Sequence, residues 1–379
     1  MAKRIIVLGS GVAGSMVANR LAKSMQKEIY SGEVEVLVIG NKKQHLYQPG
    51  FLFMSFNEGT LEQFSREQKH LLHPKVKFIL EEATKIDTAN NTVTTTKQSY
   101  NYDFLVIATG SYPDFNSVPG LAEASHNFYT PEGAAKLRDE LFKFKGGTIL
   151  MTIDVPHKCP VAPLEWIFMA DELFRDLGIR DKVTLKYTYP IGRVHSLEPV
   201  AEWAEAEFEK RGIEYEVFFN LEEVDPNKKL AYNMDGTAHP YDLLISVPAH
   251  VGAKVVRDSN IGDEDGFIPT DRYSLKMIGQ DNVYVLGDAT NLPVSKAGST
   301  AHYQADVVVK NIISQIKGLP ASHRYSGKAF CFIESGLNDA TYIWFDYKTP
   351  PQPMPSSEML HWFKLAYNEL YWLSVRGIM

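Results

Sequence analysis

The apolar positions of this chain alternate between continuous runs that suit buried strands and spacings that suit helices. Arg4-Ile5-Ile6-Val7-Leu8 opens with the pattern of a parallel strand covered on both faces. Residues 13–27 move to helical spacing, and Val34-Glu35-Val36-Leu37-Val38-Ile39 returns to strand. The rhythm recurs in the middle of the chain. Gly147-Thr148-Ile149-Leu150-Met151-Thr152 predicts a strand, residues 164–177 a helix with an apolar face, and Lys182-Val183-Thr184-Leu185-Lys186-Tyr187 a further strand. Near the end, Ala340-Thr341-Tyr342-Ile343-Trp344-Phe345-Asp346-Tyr347 is strand-like, and a proline-rich linker from Pro350 to Pro355 leads into a helix over residues 357–376. This order predicts an α/β fold of tandem Rossmann-like dinucleotide-binding domains with a C-terminal amphipathic helix.

The turn after the first strand sharpens the picture. Gly9-Ser10-Gly11-Val12-Ala13-Gly14 follows the strand and opens the helix. Gly9 permits the tight turn, Gly11 lets the backbone approach a pyrophosphate, and Gly14 lets helix and strand pack closely. The phosphates would rest on the helix N-terminus, where unpaired N–H groups favour an anion. An acid normally follows the second strand to hold the adenosine ribose; here the chain reads Gly40-Asn41-Lys42-Lys43, and Asn41 is the candidate for that hydroxyl.

Composition narrows the partners. A length of 379 residues calls for more than one core, and a formal net charge of −7 argues against a nucleic-acid partner. No window holds the ~18 apolar residues of a membrane span. The first strand begins almost at the initiator, so no signal peptide is expected and the protein is placed on the cytoplasmic side. Only 2 cysteines occur, Cys159 and Cys331, too few for a disulfide scaffold and too far apart for a local zinc site, so no metal is expected and composition alone reads them as two buried thiols acting as small hydrophobes.

Two further strands carry a resemblance. Tyr102-Asp103-Phe104-Leu105-Val106-Ile107-Ala108-Thr109-Gly110 and Asn282-Val283-Tyr284-Val285-Leu286-Gly287-Asp288-Ala289 resemble the second and third signatures of two-dinucleotide-domain flavoproteins of the disulfide-reductase-like type. The resemblance implies FAD, with Thr109, Gly110, Gly287 and Asp288 in its site and Asp288 on the ribityl chain. It also implies that the helix beginning near Lys296-Ala297-Gly298 points its positive end at the flavin pyrimidine ring, where reduced flavin carries negative charge.

The middle turn departs from NADH-oxidising relatives. Residues 153–165 contain Pro156, Pro160 and Pro163 and no glycine, so this turn offers no cradle for a second pyrophosphate. Cys159 stands there just before a helix, where the dipole and Lys158 are expected to favour the reactive thiolate. Glu165, one turn into that helix, is read either as a general base or as favourable charge near a helix start. His195 is read either as a proton carrier or as a satisfied loop histidine.

Taken with His45-Leu46-Tyr47-Gln48-Pro49, the turn Cys159-Pro160-x-x-Pro163-x-Glu165 and the segment Cys331-Phe332-Ile333-Glu334, the chain resembles the sulfide:quinone oxidoreductase family and the related flavoprotein subunit of flavocytochrome c sulfide dehydrogenase. The resemblance covers nearly the whole chain. It implies that Cys159 and Cys331 form a redox-active disulfide at the flavin, with Cys159 holding a persulfide and Cys331 facing the flavin. Many quinone-reducing members carry a third cysteine after the Ala-Thr-Gly strand; here Tyr129 is near that position and no third thiol exists. The expected partners are sulfide or a related sulfur compound and a membrane quinone, with a homo-oligomer left open.

On a helical period, Ser357, His361, Lys364 and Asn368 form a narrow polar stripe on the terminal helix, and Met359, Leu360, Trp362, Phe363, Leu365, Tyr367, Leu370, Tyr371, Trp372 and Leu373 cover the rest. The helix is read as a peripheral, monotopic anchor on the bilayer surface, against the alternative of packing on the core or in a dimer. Phe332, Tyr342 and Phe345 are candidates for a quinone pocket and serve equally as strand core. The expected division is an FAD domain from 1–112 and 246–318, a second nucleotide-binding-like domain without its NAD site from 113–245, and a quinone- and membrane-facing segment from 319–379. Two rival readings remain: a type II NADH:quinone dehydrogenase, and a low-turnover FAD-containing redox-sensing or interaction protein.

Overall fold

The computed structural model describes residues 2–378. Its first sheet is parallel throughout, with spatial order Val283–Val285, Phe104–Ile107, Lys3–Leu8, Val34–Gly40, Lys77–Leu80. Ile5, Ile6 and Val7 are buried because both faces of this sheet are covered. The helices Val12–Ser24 and Gly298–Ile316 pack on one face, where Met16, Val17 and Leu21 share a core with Ala305, Val308 and Ile312. The first helix is shorter than its periodicity suggests: Met25 leaves helical geometry (φ −120°, ψ 37°), and a separate short helix, Gln26–Tyr30, follows.

A second parallel sheet has the order Glu214–Val217, Val183–Tyr189, Gly147–Ile153, Leu243–Val247. The helix Ala162–Asp176 lies against it and buries Trp166, Phe168 and Phe174 in the largest core. Pro163 at the second position of this helix costs no internal hydrogen bond, because the first N–H groups of a helix have no partner within it.

The C-terminal part starts as an antiparallel hairpin, Ala329–Glu334 with Ala340–Phe345, and ends in the helix Glu358–Val375. Ser357 caps that helix by accepting from the Leu360 N–H. Its polar stripe points inward: His361 and Lys364 are buried, and Asn368 accepts a hydrogen bond from the Tyr47 hydroxyl. Met359, Trp362, Phe363, Tyr367, Leu370 and Leu373 are exposed on the other side, an inversion of the usual helix. Asn19 donates to the Val375 carbonyl and His45 meets the Tyr371 hydroxyl at 2.6 Å, fastening the helix to the first unit. No helix among the described residues is long and apolar enough to cross a membrane.

The glycine turn is spatially exacting at some positions and open at another. Gly9 has φ +107°, and a Cβ there would lie 2.2 Å from the Ala108 carbonyl oxygen. At Gly14 a Cβ would lie 1.9 Å from the Gly9 carbonyl oxygen, whereas at Gly11 it would meet nothing within 4 Å. Gly9→Ala is therefore expected to destabilise the ligand-free protein by more than about 1 kcal/mol, while Gly11→Ala leaves its melting temperature nearly unchanged. Thermal melting of both variants checks this, and equal losses at the two positions would contradict it.

Candidate active site

The helix start at Val12 has no side-chain cap, so its N–H groups remain available to an anion beside the open position at Gly11. Ala13 is buried beside Gly287, and the Gly287 N–H is held by Gln304 Oε1 at 2.6 Å. Gly110 (φ +71°) also borders open space, and the Thr109 hydroxyl beside it is buried without a partner. Asn41 is exposed just beyond the second strand. Across the turn, Ser111 Oγ lies 3.5 Å from an Asp288 carboxylate oxygen, and Lys296 Nζ donates to the Asp288 and Thr290 carbonyls at 2.9 and 2.8 Å. The helix Gly298–Ile316 that follows Ala297 is likewise uncapped by any side chain. An open glycine turn, two uncapped helix starts, an orphaned hydroxyl and an acid at the strand end fit a bound FAD.

Both cysteine segments are tied to the second of these helix starts. The Cys159 N–H donates to the Lys296 carbonyl at 2.8 Å, and Cys159 itself takes a left-handed backbone (φ +50°). The Phe330 N–H donates to Ser299 Oγ at 3.1 Å, which brings the strand bearing Cys331 to the same place. Both residues carry free thiols, each partly exposed and packed on the edge of the large core. The expected bias of Cys159 toward thiolate is corrected here. Burial, and after it the Glu165 carboxylate, push the Cys159 thiol well above its ordinary value, and the same two causes push Cys331 up to about 12. Lys158 does not offset this, because its ammonium reaches toward Ser111 O and Asp288.

Beneath the thiols lies a buried ionic cluster. Glu165 accepts from the Glu334 N–H at 2.9 Å and is in contact with the Lys364 ammonium, which also lies 3.5 Å from Glu334 Oε1. Glu334 Oε2 is 3.0 Å from His361 Nδ1. Burial pushes the Glu165 carboxyl up, with Lys364 opposing it. For Lys364 burial alone would lower the pKa, but Glu165 and Glu334 outweigh it and raise it. The hydrogen bond to Glu334 raises His361.

The remaining expected residues divide. His195 is fully buried in the second unit, with Nδ1 accepting from the Leu197 N–H at 3.1 Å; burial and then His157 lower it to about 3. It therefore stays neutral near pH 7, which corrects the reading of a carrier that gains and loses charge there. Phe332 and Tyr342 pair across the hairpin and share a face with Phe330, and Tyr367 of the terminal helix lies 5.9 Å from Phe332. Phe345 pairs with Ala329 on the opposite face, the side of Cys331, so it is separated from the other two.

Several site residues escaped sequence reasoning. Tyr129, where a third cysteine was sought, donates to the Lys158 carbonyl at 3.1 Å and packs against His250 at 5.3 Å. His250 and His157 are buried with ring centroids 6.4 Å apart. Lys364 and His361 were visible only as a polar stripe on an apolar helix; that lone cation in such a stripe was the signal for a buried acid partner.

Comparison with known proteins agrees with this geometry. The pyridine nucleotide-disulphide oxidoreductase family matches residues 3–149. The mitochondrial sulfide:quinone oxidoreductase of Dictyostelium discoideum is 25% identical over 356 residues, covering 91% of this chain and 78% of that protein. The sulfide-quinone reductase of Aquifex aeolicus is 25% identical over 410 residues, covering 100% of this chain and 92% of that protein. The X-ray structure of the sulfide:quinone oxidoreductase from Aquifex aeolicus superposes with a TM-score of 0.86 at 24% identity, over 99% of this chain and 92% of that one, and so shares the fold. The chain is thus similar along nearly its whole length to sulfide:quinone oxidoreductases, and it is an FAD-binding oxidoreductase.

Proposed function

We propose that this protein oxidises sulfide or a related sulfur species through a Cys159–Cys331 disulfide and delivers the electron pair to a membrane quinone. The observation that carries the reading is the attachment of both cysteine segments to the start of the helix Gly298–Ile316, at Lys296 and Ser299. The two uncapped helix starts would hold FAD, which would supply the two-electron acceptor. In the oxidised pair, hydrosulfide attacks one sulfur, the disulfide bond breaks, and a persulfide forms on Cys159 while Cys331 leaves as thiolate. The nearby Ser295 and Ser299 hydroxyls ease that charge, lowering the Cys331 pKa against burial and Glu165. Glu165, raised by burial, is the group beside the thiols suited to take up a proton.

The division into an FAD domain (1–112 and 246–318), a second unit (113–245) and a C-terminal segment (319–379) is part of this reading, with the boundary near 246 falling in the last strand of the second sheet. The outward apolar face of the terminal helix supports seating on a bilayer as a peripheral protein, where quinone resides. Phe332 and Tyr342, with Tyr367, are then the candidate quinone contacts. The glycine-free turn at Pro156–Pro163 counts against the NADH dehydrogenase reading.

Cys159→Ser and Cys331→Ser should each abolish sulfide-driven flavin bleaching while FAD stays bound, and the double variant should be little worse than either single one. A fully active Cys331→Ser enzyme would end the proposal. Glu165→Gln removes the anion that raises both thiols, so their pKa values should fall and the thiolate fraction at pH 8 should grow. Iodoacetamide labelling of the reduced protein should speed up by as much as roughly tenfold per unit of that fall. An unchanged labelling rate would show that Glu165 does not govern the thiols.

A further inference from the structure

The terminal helix turns Phe363, Leu370 and Leu373 outward, and cations stacked on aromatic rings border that stripe on both flanks. On one flank the Arg66 guanidinium lies 4.7 Å from the centroid of Trp372 and donates to the Glu62, Gln63 and Ser65 carbonyls. The other flank begins at Tyr367, which meets Phe330 and Phe332 of the hairpin at 6.2 and 5.9 Å. Tyr367 and Trp372 stand about 140° apart around the helix, with the exposed stripe on the outer side between them. Lys328 immediately precedes the hairpin strand, and its ammonium lies 4.7 Å from the ring of Tyr303, one turn along from the Ser299 that holds the Phe330 N–H. Tyr347 packs on Gly327 and carries the Arg272 guanidinium at 3.8 Å. Arg324 lies 4.3 Å from Tyr273, whose ring meets Tyr347 edge-on at 5.8 Å. Arg66, Arg272, Arg324 and Lys328 are exposed, and among the described residues none forms an ion pair. Asp271, the acid beside Arg324, is occupied by the Ser274 N–H and hydroxyl at 2.7 Å each. Arg376, just past the helix end, adds a fifth exposed cation, against Glu369 as the exposed acid in that half of the helix.

We propose that these ring-stacked cations bind the phosphates of anionic phospholipids, so that the protein selects a negatively charged bilayer surface. The inference rests on the bilayer seating of the preceding subsection and adds the headgroup chemistry to it. With a formal net charge of −7, the chain as a whole is repelled by such a surface, and a local surplus of positive charge has to overcome that. The stacked arrangement suits the boundary between hydrocarbon and headgroups. Ring and alkyl stem face the apolar side, while the charged end reaches the level of the phosphates. A guanidinium already held against a ring loses little freedom when its planar fork pairs with a phosphate. A second copy of the chain fits this surface poorly. In a two-fold contact through the apolar stripe the same cations would meet their own counterparts.

The test is flotation of the FAD-loaded full chain with two kinds of vesicle, phosphatidylcholine alone and phosphatidylcholine with about one-third phosphatidylglycerol. At about 0.1 M salt wild type should bind the anionic vesicles roughly tenfold or more tightly than the neutral ones, and the difference should vanish near 1 M, where charges are screened within about 3 Å. Each cation at an anionic surface is worth roughly a fivefold gain, so the triple variant Arg66→Gln, Arg324→Gln, Lys328→Gln should lose the preference while binding neutral vesicles as before. The charge-keeping triple variant Arg66→Lys, Arg324→Lys, Lys328→Arg should retain the preference, which separates lost charge from lost folding. Leu370→Ser with Leu373→Ser, on the apolar stripe, should weaken binding to both vesicles. Equal affinity of wild type for the two compositions overturns the proposal, and so does a preference that survives in the glutamine variant. In either case binding that still depends on Leu370 and Leu373 leaves the bilayer seating in place. Binding to neither vesicle overturns the seating, and the headgroup proposal with it.

Discussion

The buried ammonium of Lys364 holds the C-terminal part of this protein in its working arrangement. It is the cation between Glu165, from the second unit, and Glu334, from the hairpin. Removing it would leave the Glu165 carboxylate buried without its cation, a loss of about 3–5 kcal/mol in comparable sites. Because the terminal helix turns this polar side inward, its tryptophan, phenylalanine and leucine side chains have to face out. One ion-paired cluster therefore fixes the helix, presents an apolar surface, and sets the charge beside the two thiols.

The thiols gain their position from the backbone. Cys159 is anchored by its own N–H to Lys296, and Cys331 by the neighbouring Phe330 N–H to Ser299. Both anchors converge on the start of one helix, whose unpaired N–H groups favour negative charge. Against this stand burial and the Glu165 carboxylate, which keep both thiols protonated in the reduced protein. The site thus resists idle thiolate formation in the reduced protein.

How much was legible in the sequence depends on whether the cause was local. The first βαβ unit was readable because a strand pattern, a glycine turn and a helix pattern adjoin, and Gly9 and Gly14 meet the contacts that their roles require. The lack of a second cradle was readable from three prolines. Charge at Cys159 was misjudged because Lys158 is adjacent in sequence but directed toward Asp288, whereas the decisive Glu165 acts through space. The polar stripe of the terminal helix was seen, but its direction depended on Glu165 and Glu334, which lie 199 and 27 residues away from their partners on it. Phe345 was grouped with Phe332 by sequence proximity, and the two-residue alternation of the strand places it on the other face.

The central claim is that electrons enter this flavoprotein from sulfur through the cysteine pair. Its most direct test is an anaerobic titration of the FAD-loaded protein followed by flavin absorbance, with sulfide in one series and NADH in the other. The account predicts bleaching at about one sulfide per flavin, return of the oxidised spectrum when a soluble quinone is added, and only slow change with NADH, because the residues after the strand Gly147–Ile153 offer no glycine cradle. Rapid stoichiometric bleaching by NADH together with indifference to sulfide would contradict it.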